Sequence, residues 1–98
     1  MQITKTTEGT NLIVALEGRL DTMTAPELEA QVKDDLNTVE SAVLDLASLE
    51  YVSSAGLRVI LSMHKALAGK GGLVVKNPNE TVTEVFEVTG FSDILTIE

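Results

Sequence analysis

The chain has no cysteine and a single histidine, His64. The first absence excludes disulfides, thiolate metal sites and a thiol nucleophile, and it fits a cytoplasmic protein. The second leaves imidazole chemistry to one residue about two turns into a helical segment, with no partner nearby in sequence. That residue reads as a half-buried helix position. No metal-ligand spacing occurs. The nearest thing to a phosphate loop, Ala68-Gly69-Lys70-Gly71-Gly72, lacks the spacing and the terminal Ser or Thr of one, and it follows a helix instead of a strand. It reads as a helix stop. The carboxylates fall mostly on helix faces, where solvation is their default role. Nothing here builds an active centre, so the expectation is a non-enzyme with no catalytic residue, metal or cofactor.

Basic residues are also scarce. There are seven, Lys5, Arg19, Lys33, Arg58, Lys65, Lys70 and Lys76, against fifteen acids, for a net charge of −8. They are scattered, so no basic stripe exists to neutralise phosphates, which disfavours direct nucleic-acid binding and anionic membrane surfaces. The acidic excess suits a protein partner with a basic face, and it equally suits solubility alone. Apolar runs extend only a few residues, so no membrane insertion is expected. The segment Met1-Gln2-Ile3-Thr4-Lys5-Thr6 lacks the basic-then-apolar plan of a signal peptide.

What is present is a globular pattern. Apolar residues make up 44% of 98 positions, with no repeat, linker or low-complexity run, which points to one domain over residues 1–98. Ile3 to Thr7 reads as an edge strand, Glu8-Gly9-Thr10-Asn11 as a turn, and Leu12 to Leu16 as a second strand in a hairpin with the first. Thr24-Ala25-Pro26-Glu27 opens a helix, with Thr24 as cap, Pro26 in the first turn and Glu27 completing a capping box. Ala25, Leu28, Val32, Leu36 and Val39 give that helix one apolar face, and Glu29 and Lys33 are spaced to pair on the other. Ala42 to Leu46 is a buried strand. A second helix spans Ser54 to about Ala68, stopped by Gly69, Gly71 and Gly72. Leu73-Val74-Val75 is a strand, a third helix covers about Asn79 to Thr89 and ends at Gly90, and Ile94 to Ile97 is a short last strand.

The order is β-β-α-β-α-β-α-β, an α/β fold with a mixed, mostly parallel sheet. Right-handed crossovers between sequence neighbours gather the helices mainly on one face. The other face then needs a cover for its apolar alternates, either the N-terminal segment or a partner.

The most informative stretch joins the strand at Leu44-Asp45-Leu46 to the second helix through Leu49 and Tyr51-Val52-Ser53-Ser54-Ala55-Gly56-Leu57. It places two serines at the mouth of an apolar helix. A serine there caps the N-terminus, and the first-turn N–H groups of such a helix favour an anion. A hydroxyl at Ser54 is therefore a cap or a phosphate-accepting switch. Gly56 leaves the backbone open to a kinase or to a close neighbour. Arg58 is expected to be exposed near Ser54.

Those residues, together with Gly18-Arg19-Leu20-Asp21-Thr22, Thr24-Ala25-Pro26-Glu27-Leu28, Val43-Leu44-Asp45-Leu46 and Thr89-Gly90-Phe91, resemble the STAS domain. More narrowly, the chain is similar to the free-standing bacterial anti-sigma factor antagonists, over nearly its whole length. The resemblance implies a partner-switching module, monomeric when free. Its unphosphorylated form binds an anti-sigma factor that is also a serine kinase and so releases a sigma factor. The kinase ends the complex by phosphorylating one serine, and a PP2C-type phosphatase resets it. Aligning Gly56-Leu57 with the family's Gly-Leu places the acceptor at Ser54. The family often has Asp where Ser53 stands, and Ser or Thr where Ala55 stands, so Ser53 is a second candidate acceptor or a helper. Asp21 resembles the family's acidic residue beside the acceptor, where it repels the incoming phosphate or, as the favoured role, orients the hydroxyl; on the residues alone it also reads as a turn residue. The resemblance also admits STAS domains that serve as subunits of transporters or of signalling scaffolds.

Overall fold

A computed structural model describes all residues, 1–98. The elements are β1 (Gln2–Glu8), β2 (Asn11–Leu20), α1 (Ala25–Val32), β3 (Ser41–Val52), α2 (Ser54–Leu67), β4 (Gly72–Lys76), α3 (Glu80–Thr89) and β5 (Thr96–Ile97), with 3-10 turns at Asp35–Asn37 and Phe91–Asp93. The sheet runs β1-β2-β3-β4-β5. Only β1 is antiparallel to its neighbour, and the other pairings are parallel. The expected order and class are therefore the observed ones, with every helix of a right-handed crossover falling on the same side of the sheet.

The core lies between that side and the helices. Leu12, Val14, Leu16 and Leu20 of β2, Ala42, Leu44, Leu46, Leu49 and Val52 of β3, and Leu73 and Val75 of β4 face it. Leu28 and Val32 of α1, Ile60, Met63 and Leu67 of α2, and Val82 and Phe86 of α3 close over them. No polar or charged residue is fully buried, and the one enclosed side-chain atom without a hydrogen-bond partner is Nδ1 of the half-buried His64.

The two central strands are longer than their apolar runs suggest. Two register shifts, between Ala15 and Glu17 and between Gly18 and Arg19, leave β3 with extra residues against β2. The buried positions of β3 thus pass from Leu46 to Leu49 to Val52, which breaks the alternation that marks a strand in sequence. The strand expected to end at Leu46 therefore continues to Val52.

The opposite face carries no helix. Its main apolar feature is one cross-strand row, Ile13–Val43–Val74, flanked by Thr6 and Thr96 and only half-buried, with Ala15 next to it on β2. The N-terminal segment does not cover it, because β1 is an edge strand of the same sheet. Three adjacent β-branched side chains shield one another across the strands, and Ser41 Oγ bonds Asn11 Oδ1 at 2.8 Å in the next row.

The first helix is shorter than its apolar spacing implied. It stops at Val32, and Leu36 and Val39 pack from the 3-10 turn and the loop beyond it. Asp34, Asp35 and Asn37 favour local side-chain bonding over helix, and Lys5 of β1 fastens the helix end, with Nζ 2.7 Å from Gln31 O and 2.8 Å from Asp35 Oδ2. Lys33 forms no ion pair with Glu29, since the ion pairs of the chain are Lys5–Asp35 and Arg19–Asp21. The third helix begins as expected. Asn79 caps it, its Oδ1 accepting from Val82 N at 2.7 Å, while Nδ2 donates to Leu49 O and ties the helix to the end of β3. Gly90, at φ 82°, ends it in the left-handed region.

Candidate functional site

The long β2 and β3 end side by side. Arg19 pairs with Tyr51 and Leu20 with Val52, and Ser53 N donates to Leu20 O at 2.8 Å just beyond. The chain leaves β2 into the turn before α1, and leaves β3 directly into α2. The carboxyl ends of parallel strands thereby bring Asp21, Ser53 and Ser54 to one end of the molecule, where α/β folds commonly place their sites.

Ser53 is the cap of α2, and Ser54 is not. Ser53 is extended, at φ −96° and ψ 175°, and its Oγ accepts from Gly56 N at 3.3 Å. Ser54 is the first helical residue, is exposed, and its hydroxyl makes no hydrogen bond within the chain. A side chain at the first helical position projects outward and has no orphan N–H within reach, so the capping duty falls one residue earlier than expected. Ser53→Ala should therefore cost about 1 kcal/mol of stability. Ser54→Ala should stay within about 0.5 kcal/mol of the parent. Urea unfolding of both variants checks this, and a larger loss at Ser54 would return the cap to it.

Gly56 is buried, and its place has a steric cause. A Cβ there would stand 2.7 Å from Leu20 Cγ and 3.0 Å from Leu20 O. The close neighbour is thus the end of β2, and the glycine lets the first turn of α2 lie directly on it. Ala55 is half-buried against the core. Arg58 is exposed, four residues after Ser54 and so on the same helix face. Ala55, Arg58 and Val59 form one wall of a shallow cleft of about 300 Å³, and Thr22, Ala25 and Pro26 form the other.

Asp21 organises the turn into α1. Its carboxylate Oδ1 accepts from Met23 N at 3.0 Å and Thr24 N at 3.2 Å, and its backbone oxygen accepts from Ala25 N at 2.8 Å. Thr24 has the backbone of a helix start but its side chain caps nothing in α1. Its hydroxyl instead donates to Arg19 O and accepts from Asp21 N, each at 2.8 Å. The expected capping box is replaced by this closed turn.

The Asp21 carboxyl is held below the ordinary aspartate range, first by the Thr24 N–H; burial opposes this as the next-largest effect, and the Met23 N–H, the Thr24 hydroxyl and the Arg19 guanidinium lower it further. A depressed carboxyl stabilises the fold above the unfolded aspartate pKa, and that contribution is lost as pH falls through the folded value. No hydrogen bond joins Asp21 to Ser54, so its oxygens serve their own turn instead of the hydroxyl.

Two features at this end carry no signal in the apolar pattern. Arg19 stacks over the Tyr51 ring at 4.7 Å, a contact set by the shifted β2–β3 register. Met23 is 86% exposed at the tip of the Asp21 turn. An apolar residue standing alone between threonines in a turn segment is the one sequence cue that would have singled it out.

The strand order β1-β2-β3-β4-β5, with the helices on one side and the serines at the head of the second helix, defines the class of domain. The chain belongs to the STAS domain family, whose model matches residues 2–98. Within that family it is similar to anti-sigma factor antagonists. It is 41% identical over 88 residues to the Bordetella bronchiseptica protein assigned as the anti-sigma factor antagonist BtrV, a match covering 88% of this chain and 76% of that one. It is 34% identical over 89 residues to the anti-sigma F factor antagonist of Paenibacillus polymyxa, covering 88% and 76%. Among solved structures, a Thermotoga maritima protein described as an anti-sigma factor antagonist aligns with a TM-score of 0.88 at 26% identity, over 97% of this chain and 84% of that one. The fold of SpoIIAA in its unphosphorylated form aligns at 0.85 and 19% identity, over 99% and 88%.

Proposed function

We propose that this chain is an anti-sigma factor antagonist, a cytoplasmic partner switch controlled by phosphorylation of Ser54. In this reading the unmodified chain, a monomer when free, binds an anti-sigma factor serine kinase, and binding releases a sigma factor. Phosphorylation by that kinase ends the complex, and a PP2C-type phosphatase restores it. The relatives favour this over service as a transporter subunit.

The observation that carries the reading is the state of Ser54. It is exposed and free of internal hydrogen bonds at the first position of α2. An acceptor hydroxyl must be reachable and must not be needed by the fold, and Ser54 satisfies both, whereas Ser53 is half-buried and holds the cap. The helix also tolerates the product. The N–H groups of Ser54 and Ala55 precede the first intrahelical bond, which runs from Leu57 N to Ser53 O. They and the helix dipole favour a phosphate of about −1.5 to −2 charges. Arg58, one turn on, is placed to meet it. A docked partner gains no such compensation and meets a new charge to desolvate.

Incubation with the partner kinase and ATP, followed by peptide mass mapping, should find one phosphate, on Ser54. Modification of Ser53 alone, or none by a kinase shown to bind, would overturn the assignment.

A further inference from the structure

We propose that Met23 is an apolar anchor that enters a pocket on the anti-sigma factor partner, and that Asp21 is the positioning residue that holds it out. This rests on the partner-binding function proposed above and names the contact that supplies its affinity.

The chain exposes few large apolar side chains: Met23 at 86%, Val88 at 77% and Ile94 at 46%. Single exposed apolar residues are ordinary on protein surfaces. Met23 differs in how it is held. Asp21 N–H bonds Thr24 Oγ1, Thr24 Oγ1 bonds Arg19 O, and the Asp21 carboxylate takes both the Met23 and Thr24 N–H groups. Thr24 N and Ala25 N also donate to Asp21 O, at 3.2 and 2.8 Å. The turn is closed from both sides, and its one large side chain contributes nothing to the core. Backbone order of this kind lowers the entropy lost when a partner binds. A methionine fits such use, because its flexible, polarisable side chain adapts to an apolar pocket.

Its place points to the same partner. Thr22 and Pro26, either side of the turn, form one wall of the cleft whose other wall is Ala55 and Arg58, beside Ser54. Met23 is thus the chain neighbour of a residue that lines the same cleft as Arg58. Val88 lies near the far end of α3, roughly 13.5 Å of helix from the Asn79 cap that adjoins β3. A partner seated over Met23 and Ser54 together would hold its pocket next to the new phosphate, so one modification would disturb both the apolar and the polar part of the contact.

Asp21 then acts through geometry more than through charge. Asparagine offers the same side-chain oxygen to the two N–H groups, and alanine does not. The test is calorimetric titration of the purified kinase partner with the full chain and its variants, with thermal unfolding run alongside. Met23→Ala should weaken binding about tenfold, the size of a truncated hot spot, with no change in unfolding. Asp21→Ala should weaken it comparably, and hydrogen exchange should show the Met23 and Thr24 amides released. Asp21→Asn should restore binding to within about threefold of the parent and keep both amides protected. The double variant should bind no worse than Asp21→Ala alone, since the two residues act as a unit.

Parent-like binding by Met23→Ala, with Ser54→Asp still defective, would remove the anchor and leave the switch standing. Equal loss in Asp21→Asn and Asp21→Ala would make the role one of charge and overturn the positioning claim. A partner that fails to bind the parent chain, or binds Ser54→Asp as well as the parent, would overturn this inference and the partner-switch reading together.

Discussion

Ser54→Asp should lose about a hundredfold in affinity for the anti-sigma factor partner while unfolding at or slightly above the parent midpoint. The two halves of this result have one origin. A carboxylate at the first position of a helix is favoured by the dipole, by roughly 0.3–1 kcal/mol. The same carboxylate is exposed, next in sequence to Ala55 and one turn before Arg58, both of which line the cleft, and a partner docked there would strip its water. Like-charge or desolvated charge placements at interfaces cost several kcal/mol, and each 1.4 kcal/mol is tenfold. Ser54→Ala should bind as the parent does and resist switching. Titration of both variants decides the matter, and equal affinities would refute a charge-based switch.

Gly56→Val should be the most damaging single change at this end of the fold. Its Cβ alone would approach Leu20 Cγ to 2.7 Å and Leu20 O to 3.0 Å. The Leu20 side chain can yield, but the carbonyl cannot, because it receives the Ser53 N–H. Overpacking of this kind costs about 1–3 kcal/mol for a methyl group, and Gly56→Ala recovers up to about 1 kcal/mol of it as helix propensity. Valine adds two further methyls and recovers less. Gly69 provides the control, since a Cβ there meets nothing within 4 Å. Urea midpoints should fall steeply for Gly56→Val, moderately for Gly56→Ala, and stay level for Gly69→Ala. A level midpoint for Gly56→Val would show that α2 can lift off β2 at no cost.

The strand and helix order was legible because each element keeps its own apolar period until an end signal. Asn79 and Gly90 bound α3 where capping chemistry places them. The second half of β3 was not legible, because two register shifts cancel the alternation by which a strand is read. The end of α1 was obscured for the opposite reason. Leu36 and Val39 keep helical spacing from Val32 and are buried or partly buried, but they pack from a turn and a loop. At the site, the motif brought Asp21, Ser53, Ser54, Gly56 and Arg58 to one end of the fold. It did not tell which of the two serines caps α2, because that choice lies in the backbone angles of Ser53. Nor did it show that the Asp21 carboxylate is occupied by Met23 and Thr24, since both bonds are made to backbone that any residue would supply.

Each strand of this sheet hydrogen-bonds the one before it in sequence. A nascent chain emerging from a ribosome can therefore add every new strand to an edge that already exists, without waiting for a later segment to fill a gap. Each parallel pairing nevertheless has to close a crossover, Asn11 against Ser41 and Ser41 against Gly72, and such non-local pairings are the slow steps of folding. The pairing of β5 is the shortest. β5 contributes only Thr96 and Ile97, but Asn77 N to Glu98 O and Glu98 N to Val75 O extend its hold on β4. Until those residues clear the exit tunnel, the open edge of β4 is the place where the growing protein is exposed to pairing with another copy of itself.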